Sequence, residues 1–223
     1  MRVLIDGLDL SGKTTLTAAL AAELEARGRT VTVHRGFLAE RHPARRLLKK
    51  LPLVRQPDST LVTTAYLTAG YVLDSLLVRT RAPEPGGTVL VQDGYVDRTV
   101  AFGMAGGPYL AAVLALRWPR VFAPFDVAVY LHAPAEARRV RLGVRETPDA
   151  VDIRGVEDAE FAATFTAMLT RGMGRRHRKL LVFDTSAHSP HEMATAIADA
   201  LLGTQATAAP APVAALGELE RAA

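Results

Sequence analysis

Residues 7–15 read Gly7-Leu8-Asp9-Leu10-Ser11-Gly12-Lys13-Thr14-Thr15 and lie directly behind the apolar run Val3-Leu4-Ile5. A buried strand that runs into a glycine-rich turn and then into a helix forces the chain to begin as a β–α unit. The turn has the phosphate-binding pattern G-x-x-x-x-G-K-[ST] in the setting that pattern requires. Its glycines let backbone N–H groups wrap phosphate oxygens, and the helix opening at Lys13 aims the positive end of its dipole at them. The pattern predicts a nucleoside triphosphate with Mg²⁺ as ligand. Lys13 reaches the outer phosphates, the Thr14 hydroxyl holds Mg²⁺, and residues 7–15 form the cradle.

The rest of the chain repeats the β–α alternation. Short apolar runs at Val3–Ile5, Thr30–His34, Thr88–Gln92, Val127–Leu131 and Lys179–Phe183 predict five strands buried on both faces. Helical stretches are expected at Thr14–Arg27 (stopped by Gly28), Thr60–Arg79, Ala135–Arg145, Asp158–Gly172 and His191–Leu202. Strand alternating with helix means an α/β fold, a five-stranded parallel sheet covered by helices on both faces, with ligands at the carboxyl ends of the strands. Residues 1–202 are expected to form one domain with a lid around 135–157. The Ala/Pro-rich stretch 203–223 predicts disorder up to a weakly helical Pro212–Arg221.

At 223 residues the chain can bury a sizeable core, and 49% hydrophobic with 22% charged residues is ordinary for a soluble globule. The net charge of +4 does not call for a nucleic-acid partner. Arginine outnumbers lysine 23 to 4 in an Ala-rich chain, a compositional skew that lowers the information in any one Arg cluster. There is no cysteine, so disulfides, thiolate metal sites and Cys nucleophiles are excluded. No apolar stretch has membrane-spanning length, and the opening apolar run passes at once into Asp6 and the phosphate loop, unlike a signal peptide. Cytoplasm is the expected compartment. His188 and His191 are expected in a surface loop around Pro190 rather than on a metal.

A phosphate loop needs a carboxylate at the end of a neighbouring strand. Thr88–Gln92 supplies one by running into Asp93-Gly94-Tyr95, so Asp93 is the candidate metal or catalytic carboxylate. No Asn-Lys-x-Asp guanine motif is present, which disfavours GTPase chemistry. Behind the fourth strand, Arg138, Arg141 and Arg145 share a helix face, with Arg139 to one side. Such a row can close over a triphosphate and stabilise the charge of a transferring phosphoryl group. The run Arg175-Arg176-His177-Arg178-Lys179 reads as a solvated loop.

Together these residues resemble the thymidylate kinases, in the nucleoside monophosphate kinase group. Ile5 to Leu16 is similar to that family's phosphate loop. Asp93-Gly94-Tyr95 with Ala101-Phe102 looks like its Asp-Arg-Tyr and Ala-Tyr-Gln motifs. Pro134-Ala135-Glu136 looks like its lid entrance, and Asp184-Thr185-Ser186 like the last-strand motif whose loop packs on adenine. The likeness spans about residues 2–202. It implies ATP-dependent phosphoryl transfer to dTMP or a related small-molecule nucleotide, with Asp9 accepting a hydrogen bond from the acceptor's 3′-hydroxyl. Leu10 stands where some members carry a basic residue, so a lid arginine, Arg141 or Arg139, is implied to supply the transition-state charge. Many members dimerise, so a homodimer is an option about which the sequence itself is silent.

The departures cluster on the acceptor side. Gly94 replaces the family's Arg, Gly103 its Gln, and Tyr71 the Arg that reads thymine. The turn His34-Arg35-Gly36-Phe37 keeps only Arg35 of Arg-Glu-Pro-Gly. Losing such donors redirects specificity. Arg98 and Arg45 are candidates for the missing acceptor-phosphate contact, and Tyr71 and Phe102 for stacking on a flat acceptor. A kinase for another nucleoside or nucleotide-like metabolite, or a catalytically silent ATP-binding protein, are the alternatives.

Overall fold

The computed structural model describes residues 1–36, 38, 61–80, 87–107, 109–117 and 119–203. Five strands form one sheet: β1 Arg2–Gly7, β2 Thr30–Arg35, β3 Thr88–Asp93, β4 Val127–His132 and β5 Leu180–Asp184. Their order is β2-β3-β1-β4-β5, and every pairing is parallel. Eight α-helices among the described residues flank it: α1 Lys13–Ala26, α2 Leu61–Thr80, α3 Val96–Gly106, α4 Tyr109–Arg117, α5 Ala135–Gly143, α6 Ala150–Glu157, α7 Ala159–Arg176 and α8 Pro190–Leu202. None is long and apolar enough to cross a membrane.

Alternate β1 residues face two separate cores, as the two-residue strand period requires. Val3 and Ile5 pack with Leu16, Leu20 and Leu24 of α1 and with Met193 and Ile197 of α8. Leu4 belongs to the opposite core, with Val100 of α3, Tyr130 of β4 and Phe161, Phe165 and Leu169 of α7. The result is a three-layer α/β/α sandwich. Only the central strands are buried on both faces. The edge strands β2 and β5 are part open to solvent, with Val33 of β2 50% exposed, so the expected burial on both faces does not hold for them. Each lies at an end of the sheet and pairs on one side only, β2 to β3 and β5 to β4.

Register lines up the carboxyl ends. Asp93 is the Cα partner of Ile5 in β1 and of Arg35 in β2, Gly7 faces Leu131, and His132 faces Asp184. The strand order reverses beside β1, and there the crevice of a parallel sheet opens. Three helices are absent from the sequence reading. In α3, Gly103 and Gly106 weaken the helical signal, and packing against α7 supplies what propensity lacks. α4 follows it closely and packs Ala112 and Ala115 into the same core. α6 does announce itself, since Asp149 and Asp152 form a reciprocal capping box.

The turn from β1 into α1 tolerates no side chain at its first glycine. A Cβ on Gly7, whose φ is +156°, would stand 2.5 Å from the Leu131 carbonyl oxygen and 2.8 Å from Ser11 Oγ. Gly28, past the end of α1, also has positive φ (+75°) but nothing within 4 Å of a Cβ. Gly7→Ala is therefore expected to cost about 3 kcal/mol or more in urea unfolding, against about 1 kcal/mol for Gly28→Ala. Equal losses would contradict the close approach at Gly7.

Candidate active site

Three cations from three elements converge on the oxygens of the phosphate loop. Lys13 Nζ, at the start of α1, donates to the carbonyls of Gly7 (3.0 Å) and Leu8 (2.8 Å) and to Asp9 Oδ1 (3.2 Å). Arg98, in the first turn of α3, donates through Nη1 to Gly7 O (2.7 Å) and sits 3.4 Å from Asp6 Oδ1, while Nη2 pairs with Asp9 Oδ2. Arg141, on α5, donates through Nη1 to the Leu10 carbonyl (2.8 Å) and to Thr185 Oγ1 (3.1 Å). Leu10 itself is left-handed, with φ +67°, the one non-glycine residue so bent among those described.

α1 begins at Gly12, in the left-handed region (φ 93°), with no side-chain cap and no acid in its first turn. Its end is thus electrostatically open to an anion. A cavity of about 720 Å³ spreads in front of it. It is lined by Lys13 and Thr14 at the start of α1, by Asp9, Asp93 and Arg98, and by Arg141.

The charges set one another's titration. Burial pushes the Asp6 carboxyl up to about 6 against the pull of Arg98 and Lys13. Burial also opposes ionisation of Asp9, but Arg98 and Lys13 outweigh it and hold Asp9 below the usual carboxylate range. Lys13 is lowered by burial and by the neighbouring Arg98, with Asp9 and Asp6 acting against the shift. Asp6 is fully buried, and its Oδ2 has no hydrogen-bond partner.

Tyr71 and Tyr95, beside the cavity, are held from behind. Tyr95 is buried and donates its hydroxyl to Asp74 Oδ2 of α2 (2.7 Å), which also accepts from the Leu38 amide (3.1 Å). Tyr71, one turn earlier on α2, stands edge-on to Tyr95 at 5.1 Å and looks into the cavity. Gly94 has φ +68°, and a Cβ there would meet Arg98 Cδ at 3.5 Å. That is ordinary van der Waals contact, so the positive φ rather than crowding favours glycine at 94, and the Arg98 side chain packs alongside it.

Several expected site residues lie elsewhere. Arg139 points away from the cavity into an exposed pair with Glu136 (2.6 Å), so Arg141 alone of the two reaches the loop. Arg138 is buried and structural: it donates to the carbonyls of Ala133 (3.1 Å) and Gly155, stapling α5 to α6. Arg145 does face the cavity, and Asp152 holds it at 3.0 Å. Phe102 does not line the cavity; it packs edge-on against Phe161 at 5.7 Å. Arg45 and the 204–223 stretch lie outside the described residues.

Two features escaped the sequence reading. His188, expected on the surface, lines the cavity and shares its Nδ1 proton with the Asp184 carbonyl (3.1 Å). Within the supposedly solvated basic run, Arg176 and His177 are buried and hold Asp97 of α3. His177 Nδ1 accepts from the Phe125 amide (3.1 Å), so its proton sits on Nε2 and is donated to Asp97 Oδ2 (3.1 Å). Burial disfavours the Asp97 anion, yet Arg176 and His177 together keep its pKa low. This cluster fixes the first turn of α3, the turn that carries Arg98.

Mg²⁺ is compatible with the donors present. Among the described residues there is no group of three or more His, Asp or Glu that could hold a metal. Mg²⁺ needs only one or two protein oxygens, completed by phosphate and water. Thr14 and Asp93 line the same cavity and are hard oxygen donors of that kind. No protein-family model matches the chain, and no curated protein matches it.

The raised Asp6 pKa has a definite consequence. The native state keeps its proton up to about pH 6, whereas the unfolded chain releases it near 3.8. The native state thus binds more protons across that window and loses stability as pH rises through it. The unfolding free energy of wild type minus that of Asp6→Asn is expected to fall by on the order of 3 kcal/mol from about pH 4 to above pH 6. A flat difference in urea titrations would mean that Arg98 keeps Asp6 ionised throughout.

Proposed function

We propose that the protein is an ATP-dependent phosphotransferase of the thymidylate-kinase type, transferring the γ-phosphoryl group of ATP to dTMP or a related nucleotide. The observation that carries this reading is that an open helix start, Lys13, Arg141, Asp9, Arg35, Asp93 and Arg98 all line one cavity. A triphosphate-sized anion at α1 finds backbone N–H groups, and Lys13 and Arg141 exchange loop oxygens for phosphate oxygens. Thr185 and His188 line the same cavity, where a purine would stack.

In the proposed step an acceptor phosphate oxygen attacks the γ-phosphorus in line. The bond to the β–γ bridging oxygen breaks, and ADP departs with that electron pair. Lys13 and Arg141 stabilise the charge that spreads over the transferring group. Asp9, held ionised, accepts a hydrogen bond from an acceptor hydroxyl and orients it. Thr14 and Asp93 are the residues that would hold Mg²⁺, which when bound neutralises charge on the β- and γ-phosphates.

A second acceptor class is favoured by one observation. Arg98, the candidate acceptor-phosphate ligand, is already balanced by Asp6, Asp9 and the Gly7 carbonyl. A nucleoside or nucleotide-like metabolite that makes a smaller demand on this cation fits that arrangement.

ADP release measured over dTMP, dUMP, dCMP, thymidine and related acceptors tests both readings. One acceptor is expected to stand out, and Lys13→Ala and Arg141→Ala are each expected to lower its turnover at least 100-fold, on the order of one lost transition-state donor. Arg139→Ala should leave turnover within about two-fold of wild type, since its exposed pair contributes little. ATP binding without acceptor-dependent ADP release across the panel would favour a silent nucleotide-binding protein.

A further inference from the structure

We propose that Arg35 is a latch on Asp93, drawn off by an anionic group of the acceptor, so that Asp93 becomes available to a metal–nucleotide only when an acceptor is present. The inference rests on the phosphotransferase reading and specifies how its two halves communicate.

The latch is built by register. Arg35 and Asp93 are Cα partners at the carboxyl ends of the neighbouring parallel strands β2 and β3, so their side chains leave the same face together. Arg35 donates through Nε (2.8 Å) and Nη2 (2.5 Å) to one oxygen, Asp93 Oδ2. The buried Gln92 side chain fixes the backbone around them by donating to the carbonyls of Gly36 (2.8 Å) and Gly94 (2.7 Å). The cross-strand pair is therefore held from both exits of the strands.

The two partners differ sharply in solvation. The Arg35 side chain is 73% exposed, while that of Asp93 is 10% exposed. Both line the cavity that contains Thr14. A guanidinium in water changes partners at little cost, and an exposed ion pair shifts an equilibrium by only about two- to five-fold. Its planar fork matches a phosphate at least as well as a carboxylate. A phosphate group entering beside Arg35 can thus take the cation, leaving Asp93 as an unpaired carboxylate next to the phosphate loop.

The effect has a direction. Without acceptor, the charge of Asp93 is spent on Arg35, and its pull on a divalent cation is reduced. With acceptor, that pull returns. Linkage requires the reverse as well: a bound metal–nucleotide that engages Asp93 loosens Arg35 and raises affinity for the acceptor anion by the same factor. Such coupling withholds a complete metal site from ATP alone and so disfavours transfer to water.

The test reads metal binding directly. Free Mn²⁺, followed by its electron paramagnetic resonance signal, is titrated against the full chain with AMP-PNP, in wild type, Arg35→Gln, Asp93→Asn and the double variant. Sulfate, which chelates Mn²⁺ weakly, serves as the probe for the acceptor's anionic group. Thermal melts check that each variant is folded. Arg35→Gln should tighten Mn²⁺ binding about two- to five-fold, and this gain should vanish in the Asp93→Asn background. Sulfate should tighten Mn²⁺ binding in wild type but not in Arg35→Gln. A gain of equal size in both backgrounds would mean a general field effect of the Arg35 charge and would overturn the latch. So would no gain, or no response to sulfate. Failure of the wild type to bind AMP-PNP would overturn the phosphotransferase reading too, whereas binding without these shifts overturns the latch alone.

Discussion

The oxygens of the phosphate loop are where the parts of this molecule meet. Lys13 binds the Gly7 and Leu8 carbonyls, Arg98 binds Gly7 and Asp9, and Arg141 binds Leu10. The three cations belong to α1, α3 and α5, so one turn ties the central strand to three flanking helices. Each cation would otherwise be left with its charge poorly solvated near a wall of the sheet, and burial, with Arg98 nearby, already lowers Lys13. Loop carbonyls and the Asp9 carboxylate supply what a bound phosphate would supply. The same geometry that stabilises the loop therefore describes the anion it is suited to receive.

The Arg98 side of the cavity depends on how firmly α3 is held. Its first turn is anchored by Asp97 to Arg176 and His177 at the far end of α7, and the next residue, Arg98, is aimed at the loop. A buried carboxylate with a charged partner and a neutral imidazole is costly to break and favours one arrangement over its neighbours. α2 is fixed independently through Tyr95 and Asp74. This side of the cavity is thus bordered by two helices pinned from behind, with Arg98 packed alongside Gly94. By contrast the opposite side comes directly from the loop and α1, with α5 beside it stapled by Arg138 to α6.

Local patterns announced the five strands and the β–α turn because a parallel sheet needs uninterrupted apolar runs and the loop needs glycine at Gly7 and Gly12. Their order in the sheet follows from right-handed crossovers and was legible only as a fold class. Helices α3 and α4 were not legible, because tertiary packing and not propensity stabilises a glycine-bearing segment. Among site residues, those within the loop were readable as a unit. Arg141 and Arg139 could not be separated by spacing alone; a rotation of about 100° per residue on α5 turns one toward Leu10 and the other toward Glu136. His188 and the Asp97–His177 pair depend on contacts between segments 80 residues apart or on a loop's path, and no local rule encodes either.

The central claim is that a nucleoside triphosphate takes over the cations now held by the loop's own oxygens. A crystal structure of the full chain with AMP-PNP and Mg²⁺ tests it most directly. The account predicts phosphates in front of Gly12–Thr15, with Lys13 Nζ moved from the Gly7 and Leu8 carbonyls onto phosphate oxygen and Arg141 moved likewise from Leu10. A nucleotide bound elsewhere, or one bound at the loop with Lys13 and Arg141 still on the loop carbonyls, would contradict it.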